Sequence, residues 1–284
     1  MFVALRLMGL VFVAACGLFG QSRHCTATGD IETVPFKSAV FTGPRSLRVL
    51  LPDGYRLPEN RDHHYPVLYM NDGQNLFDVC TSLYQSGEWQ VDEIVRELIA
   101  SRKIQPILVV GIDNGGRRLR PQEYLPYFDD TLRPVEPEPR GALYPRFLLD
   151  EVVPFVENHY RVLPGAQGRV LGGSSYGAGI ALFTVMQRPA SFEGLLLESP
   201  SIYADNYHLL RDAESVLAWP LRVYIGTGTI QEPLEDVRKL EAVLQKAGLR
   251  DDRLRVVVQE GAAHSEKWWA QRFPIALQFL FSQK

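Results

Sequence analysis

The chain predicts an α/β fold, an open and mostly parallel twisted sheet with helices on both faces, and three observations point to it. Short, dense apolar runs of strand length recur, stretches with helical period lie between them, and one run enters a glycine-flanked serine whose following small residues open a helix. Strands covered on both faces read as continuous apolar runs, as these do.

Taken in order, Ile31 to Leu51 carries short β-branched and aromatic runs around Thr42-Gly43-Pro44-Arg45, which reads as a hairpin. Tyr65–Met70 and Ile107–Ile112 are strands, and Val91, Ile94, Val95, Leu98 and Ile99 form the apolar stripe of a helix between them. Val170–Leu171, Leu195–Leu197, Val223–Ile225 and Leu254–Val258 supply four more strands. Leu234, Val237, Leu240, Val243, Leu244 and Ala247 mark a helix that Gly248 can cap. A sheet of this kind binds ligands at the carboxyl ends of its strands. The proline-rich stretch 129–140 breaks the pattern and is read as a loop, either a wall over that rim or a solvated insertion.

With 284 residues, 46% of them hydrophobic, the chain can bury one large core, and a single catalytic domain over 31–284 is expected. Thirty basic against 33 acidic residues give a net charge of −3 without a basic stripe, so nucleic acid is not an expected partner. Residues 1–20 are almost wholly apolar with a cation at Arg6, and read as a secretory signal. Val13-Ala14-Ala15-Cys16 is similar to a bacterial lipobox, which makes Cys16 a candidate lipid anchor and the cell envelope the expected location; simple cleavage nearby is the alternative. Cys25 and Cys80 then remain as an even pair, able to bridge in an oxidising compartment or to stay as two inert thiols. No CxxC or His-rich spacing suggests zinc.

The chemistry is carried by Gly173-Ser174-Ser175-Tyr176-Gly177, a GxSxG pattern with Ser175 at its centre. A sharp strand-to-helix turn around a nucleophile needs flanking residues without side chains. Upstream, the run ending at Met70 leads into Asn71-Asp72-Gly73-Gln74-Asn75, a polar loop able to supply an oxyanion donor. Downstream, Leu254–Gln259 leads to Glu260-Gly261-Ala262-Ala263-His264, a histidine after a late strand. Gln74, Ser175 and His264 thus each follow a strand end on one rim, and the chain order serine, acid, histidine is available. His63, His64, His159 and His208 read as surface or capping residues, Ser174 and Ser265 as local hydrogen-bond partners, and Glu266 as a brace for the histidine loop or a cap on the last helix.

These blocks, with VVGIDNGGRR at 109–118, EYLP at 123–126 and HSEKWWAQRFPIALQFLF at 264–281, resemble the esterase branch of the α/β-hydrolases. That branch includes esterase D, feruloyl, enterochelin-type and antigen 85-type members. The resemblance runs from about residue 31 to the C-terminus and implies the α/β-hydrolase fold. It implies Ser175 as nucleophile, His264 as general base and the backbone N–H groups of Tyr176 and Gln74 as the oxyanion hole, with no metal or cofactor. The acid departs from the family pattern, because Gly226 is followed by Thr227, Gly228 and Thr229 where a carboxylate is usual. Glu232 is the nearest candidate; Asp236 and Asp205 are the others. The implied activity is hydrolysis of a small-molecule or polysaccharide-linked carboxylic ester. Acyl transfer to an alcohol, or ligand binding without catalysis, are the alternatives.

Overall fold

The computed structural model describes residues 24–84, 87–128 and 138–282. The expected signal, the lipobox cysteine Cys16 and most of the proline-rich loop lie outside them. Eight strands join one sheet in the order β1-β2-β4-β3-β5-β6-β7-β8. The predicted hairpin is β1 (Asp30–Phe36) against β2 (Arg45–Leu51), and β2 runs antiparallel to β4 (Leu108–Ile112). From β4 onward the sheet is parallel, through β3 (Val67–Asn71), β5 (Arg169–Ser174), β6 (Gly194–Glu198), β7 (Arg222–Ile230) and β8 (Leu254–Ala263). Each of the six later apolar runs read from the sequence is one of these strands.

Side chains alternate across the sheet, so each strand feeds two cores. Tyr69, Val110, Leu171, Leu195, Leu197 and Ile225 face one; Leu68, Met70, Val109, Val170, Leu196 and Tyr224 face the other. Over the second face lie α1 (Val91–Ala100), with the predicted stripe residues Val95 and Leu98 buried, and α8 (Glu266–Phe281). The first face is covered by a larger group. It begins with α2 (Arg120–Tyr124), then α3 (Tyr144–Arg146) and α4 (Val153–His159), which flank a π-helical stretch at Phe147–Val152. It continues with α5 (Tyr176–Gln187), α6 (Ala204–Ala213) and α7 (Leu234–Lys246). Helix α5 follows the serine directly and is buried along nearly its whole length, which its small and apolar residues permit. Among the described residues, no helix is long and apolar enough to cross a membrane.

Cys25 and Cys80 are bonded, with Cα atoms 5.2 Å apart. The bridge ties the segment ahead of β1 to the loop that follows β3. Because the central strands are parallel, the loops after β3, β5, β6, β7 and β8 share one rim, and the candidate residues stand there.

Candidate active site

Ser175 occupies the joint between β5 and α5 with φ 57° and ψ −126°. A residue with a side chain takes such a conformation only under constraint. The constraint is visible. The Ser175 N–H donates to the Glu198 carbonyl at 2.9 Å, and the Ser175 carbonyl accepts N–H groups from Ala178, Gly179 and Ser201 at 3.0–3.2 Å. The flanking glycines are required by close approach: a Cβ at Gly173 would come within 2.7 Å of the Gly177 backbone, and one at Gly177 within 2.9 Å of Asp72 Oδ2. Ser175 Oγ lies 3.4 Å from Ser201 Oγ. Tyr176 is the first residue of α5, so its N–H belongs to the turn that precedes the helix's own acceptor ladder.

His264 directly follows β8, and its Nδ1 lies 3.0 Å from Glu232 Oε2. The Glu232 side chain is fully buried while that of His264 is 36% exposed. The other carboxylate oxygen of Glu232 accepts the Ser199 hydroxyl at 2.9 Å, and Ser199 Oγ accepts the Trp269 indole N–H at 3.0 Å. The Trp269 ring also meets the imidazole edge-on, 5.0 Å between centroids. One hydrogen-bonded row, Trp269 to Ser199 to Glu232 to His264, thus fixes the carboxylate and leaves Nε2 as the second ring nitrogen.

Ser175 and His264 line one cavity of about 190 Å³, together with Asp72, Arg120, Tyr84 and Trp269 among others. Asp72 is held at φ 61°, and its carboxylate takes a two-point contact from Arg120, at 2.8 and 2.7 Å, and an N–H from Asn114 at 2.6 Å. Burial works against the Arg120 charge, but Asp72 outweighs it and raises the guanidinium above its ordinary pKa. Burial likewise pushes the Tyr84 phenol up, so the cavity wall offers a neutral hydroxyl there. A larger cavity, about 460 Å³, opens at the opposite ends of the strands beside Gly168, Gly194 and Arg222, away from both Ser175 and His264.

The family model described as "Putative esterase" matches residues 38–280. The chain belongs to that family. It is 26% identical over 257 residues to an endo-1,4-beta-xylanase/feruloyl esterase of Xylanibacter ruminicola, covering 89% of this chain and 31% of that protein. The BES protein of Bacillus cereus superposes with a TM-score of 0.70 at 18% identity, over 92% of this chain and 98% of that one. The enterobactin esterase of Shigella flexneri, solved with enterobactin, also gives 0.70, at 17% identity over 90% of this chain and 60% of that one. Family membership makes the chain an ester hydrolase by class, and the structural likenesses bear out the hydrolase fold.

In this family member the sequence candidates separate. Ser175, His264 and Glu232 come to one rim. Asp236, inside α7, is buried and faces Lys239 at 3.3 Å, and Asp205 lies in the first turn of α6. Gln74 is buried in the turn Gly73–Asn75; its side-chain oxygen accepts the Asn114 N–H at 3.3 Å and its carbonyl accepts Thr81 Oγ1 at 2.8 Å. Its neighbour Asn75 is the residue of that turn that lines the cavity. Glu266 is buried in the first turn of α8 and also lines it. His63, His64 and His159 are exposed, and His208 stacks on Tyr127. Sequence reasoning missed Ser199 and Arg120. Ser199 had a usable signal, since it follows the carboxyl end of β6 as Ser175 follows β5. Arg120 had none, because its partner Asp72 is 48 residues away in the chain.

Proposed function

We propose that the protein is an exported serine esterase that hydrolyses a carboxylic ester through an acyl-enzyme on Ser175. The observation that carries this reading is the 3.0 Å contact of His264 Nδ1 with the buried Glu232, beside a cavity that a positive-φ Ser175 also lines. His264 Nε2 takes the Ser175 proton as Oγ attacks the carbonyl carbon, and Glu232 holds the ring tautomer and stabilises its charge. The N–H groups of Tyr176 and Gln74 receive the oxyanion. Collapse expels the alcohol, which leaves with the proton from His264. Water then gives its proton to His264 and attacks the acyl carbon, and as the acyl–Oγ bond breaks His264 returns that proton to Ser175 Oγ, which frees the acid and restores the serine.

The contact of Glu232 with His264 supports a catalytic over a non-catalytic reading, since it offers the imidazole a carboxylate although Thr229 stands where an acid is usual. The Cys25–Cys80 bond supports the export reading, since such bridges persist in oxidising compartments. Residues 1–20 act as the export signal, with Cys16 as lipid anchor in a bacterial envelope. The substrate class is a small-molecule or polysaccharide-linked ester, in line with the feruloyl esterase relative.

The test is hydrolysis of an activated short-chain ester by wild type and Ser175→Ala, paired with a fluorophosphonate probe. Turnover should fall on the order of 10⁴ to 10⁶ and labelling should vanish in the variant. Equal hydrolysis by both proteins ends the proposal. Added alcohol acceptors separate hydrolysis from acyl transfer.

A further inference from the structure

Away from the cavity, Glu88, Asp92 and Glu93 bring one carboxylate oxygen each within 4.8 Å of one another at the start of α1. Acids at a helix start are commonplace, because they complement the helix dipole. Here a second observation sets them apart. Asp92 is 0% exposed and Glu88 is 7% exposed. One oxygen of each of the three, Glu88 Oε2, Asp92 Oδ1 and Glu93 Oε2, is buried without a hydrogen-bond partner.

The remaining oxygens of the two most buried acids are already held. Thr26 Oγ1 donates to Glu88 Oε1, and the Thr28 N–H and hydroxyl donate to Asp92 Oδ2 at 2.5 and 2.9 Å. One oxygen of each of these two is therefore oriented by the segment ahead of β1, and the other is left without a hydrogen-bond partner inside the three-acid cluster. That is how outer hydrogen bonds orient carboxylate ligands around a cation. No side-chain cation neutralises the group: among the described residues none of the three makes an ion pair with Lys or Arg, and Arg96 of the same helix is paired with Asp53.

We propose that Glu88, Asp92 and Glu93 form a structural site for a hard divalent cation. An all-oxygen, carboxylate set suits Ca²⁺ or Mg²⁺, with waters completing the shell on the less buried Glu93 side. Ca²⁺ accepts the looser geometry, whereas Mg²⁺ demands near-ideal octahedral placement, so Ca²⁺ is the expected ion. Its effect is to lock the segment at 26–28 to α1, next to the Cys25–Cys80 bond. Through Trp89, whose ring packs 5.5 Å from Trp269, it also backs the wall of the cavity.

Calorimetric titration of the chelator-treated full chain, disulfide intact, with CaCl₂ and separately MgCl₂ tests this. One Ca²⁺ should bind per chain and raise Tm by roughly 5 °C or more at a hundredfold excess over Kd. Glu93→Gln, at the least buried of the three positions, should fold as wild type by circular dichroism and bind Ca²⁺ at least about tenfold more weakly. Asp92→Asn should abolish binding; should it fail to fold, Glu93→Gln alone decides. Absence of binding and of any Tm shift with either ion overturns the proposal, and so does Ca²⁺ binding that is unchanged in Glu93→Gln. Tighter binding of Mg²⁺ overturns the assignment to Ca²⁺.

Discussion

Glu232 and His264 meet at 3.0 Å across a boundary between two environments: the carboxylate is sealed from solvent and the imidazole is more than one-third exposed. The buried partner keeps its position because Ser199 and Trp269 hold it from behind. The exposed partner keeps access to a ligand.

Two variants separate holding from chemistry. Glu232→Gln keeps the shape and removes the charge, and should lower kcat by roughly 10² to 10⁴ with little change in KM. Ser199→Ala removes only the support, and should cost roughly 10–100-fold. Steady-state kinetics on one activated ester reads both. A loss in Ser199→Ala equal to that in Glu232→Gln would mean that the hydroxyl does more than position.

Asp72 neutralises Arg120 inside the cavity wall. Removing the acid alone leaves an uncompensated buried guanidinium, so Asp72→Ala should destabilise the fold by about 3–5 kcal/mol in urea unfolding. The double variant Asp72→Ala with Arg120→Met should recover part of that loss. Recovery would assign the cost to the stranded charge instead of to the lost hydrogen bonds.

Glu198, at the end of β6, is fully buried against Arg272, with contacts at 3.0 and 2.7 Å. Burial pushes its carboxyl up to about 7 against the pull of Arg272. A carboxyl whose folded pKa is raised stabilises the fold below its unfolded pKa of about 4.3 and loses that contribution as pH rises through the folded value. Glu198→Gln mimics the protonated form. The Tm of this variant minus that of wild type should therefore increase from pH 5 to pH 8. A difference that falls with pH would show the Arg272 ion pair to be dominant.

The Cys25–Cys80 bond spans 55 positions. In the chain-entropy relation a loop of that length contributes about 4 kcal/mol. Cys25→Ser with Cys80→Ser should lower the unfolding free energy by up to about that amount, and dithiothreitol should bring wild type down to the same level.

Much of this molecule was legible in the chain because buried parallel strands announce themselves as apolar runs. The GxSxG elbow was legible because bulk is excluded at Gly173 and Gly177. Glu232 could be singled out only as the nearest acid, since nothing in a local window says that a carboxylate two residues past β7 will meet a histidine 32 positions later. The bridge was foreseeable as a pair but not as a distance. Ser199, Arg120 and the three acids at α1 depend on partners brought together by sheet order, and no periodicity encodes that.

The bend at Ser175 is set by four main-chain hydrogen bonds that need no ligand. The entropy of assembling the reacting geometry is thus spent while the chain folds, and none of it is left to the moment of encounter. Heat should consequently abolish turnover in step with the cooperative melting of the whole sheet, with no earlier inactive phase, and a chilled sample should keep its elbow ready to react.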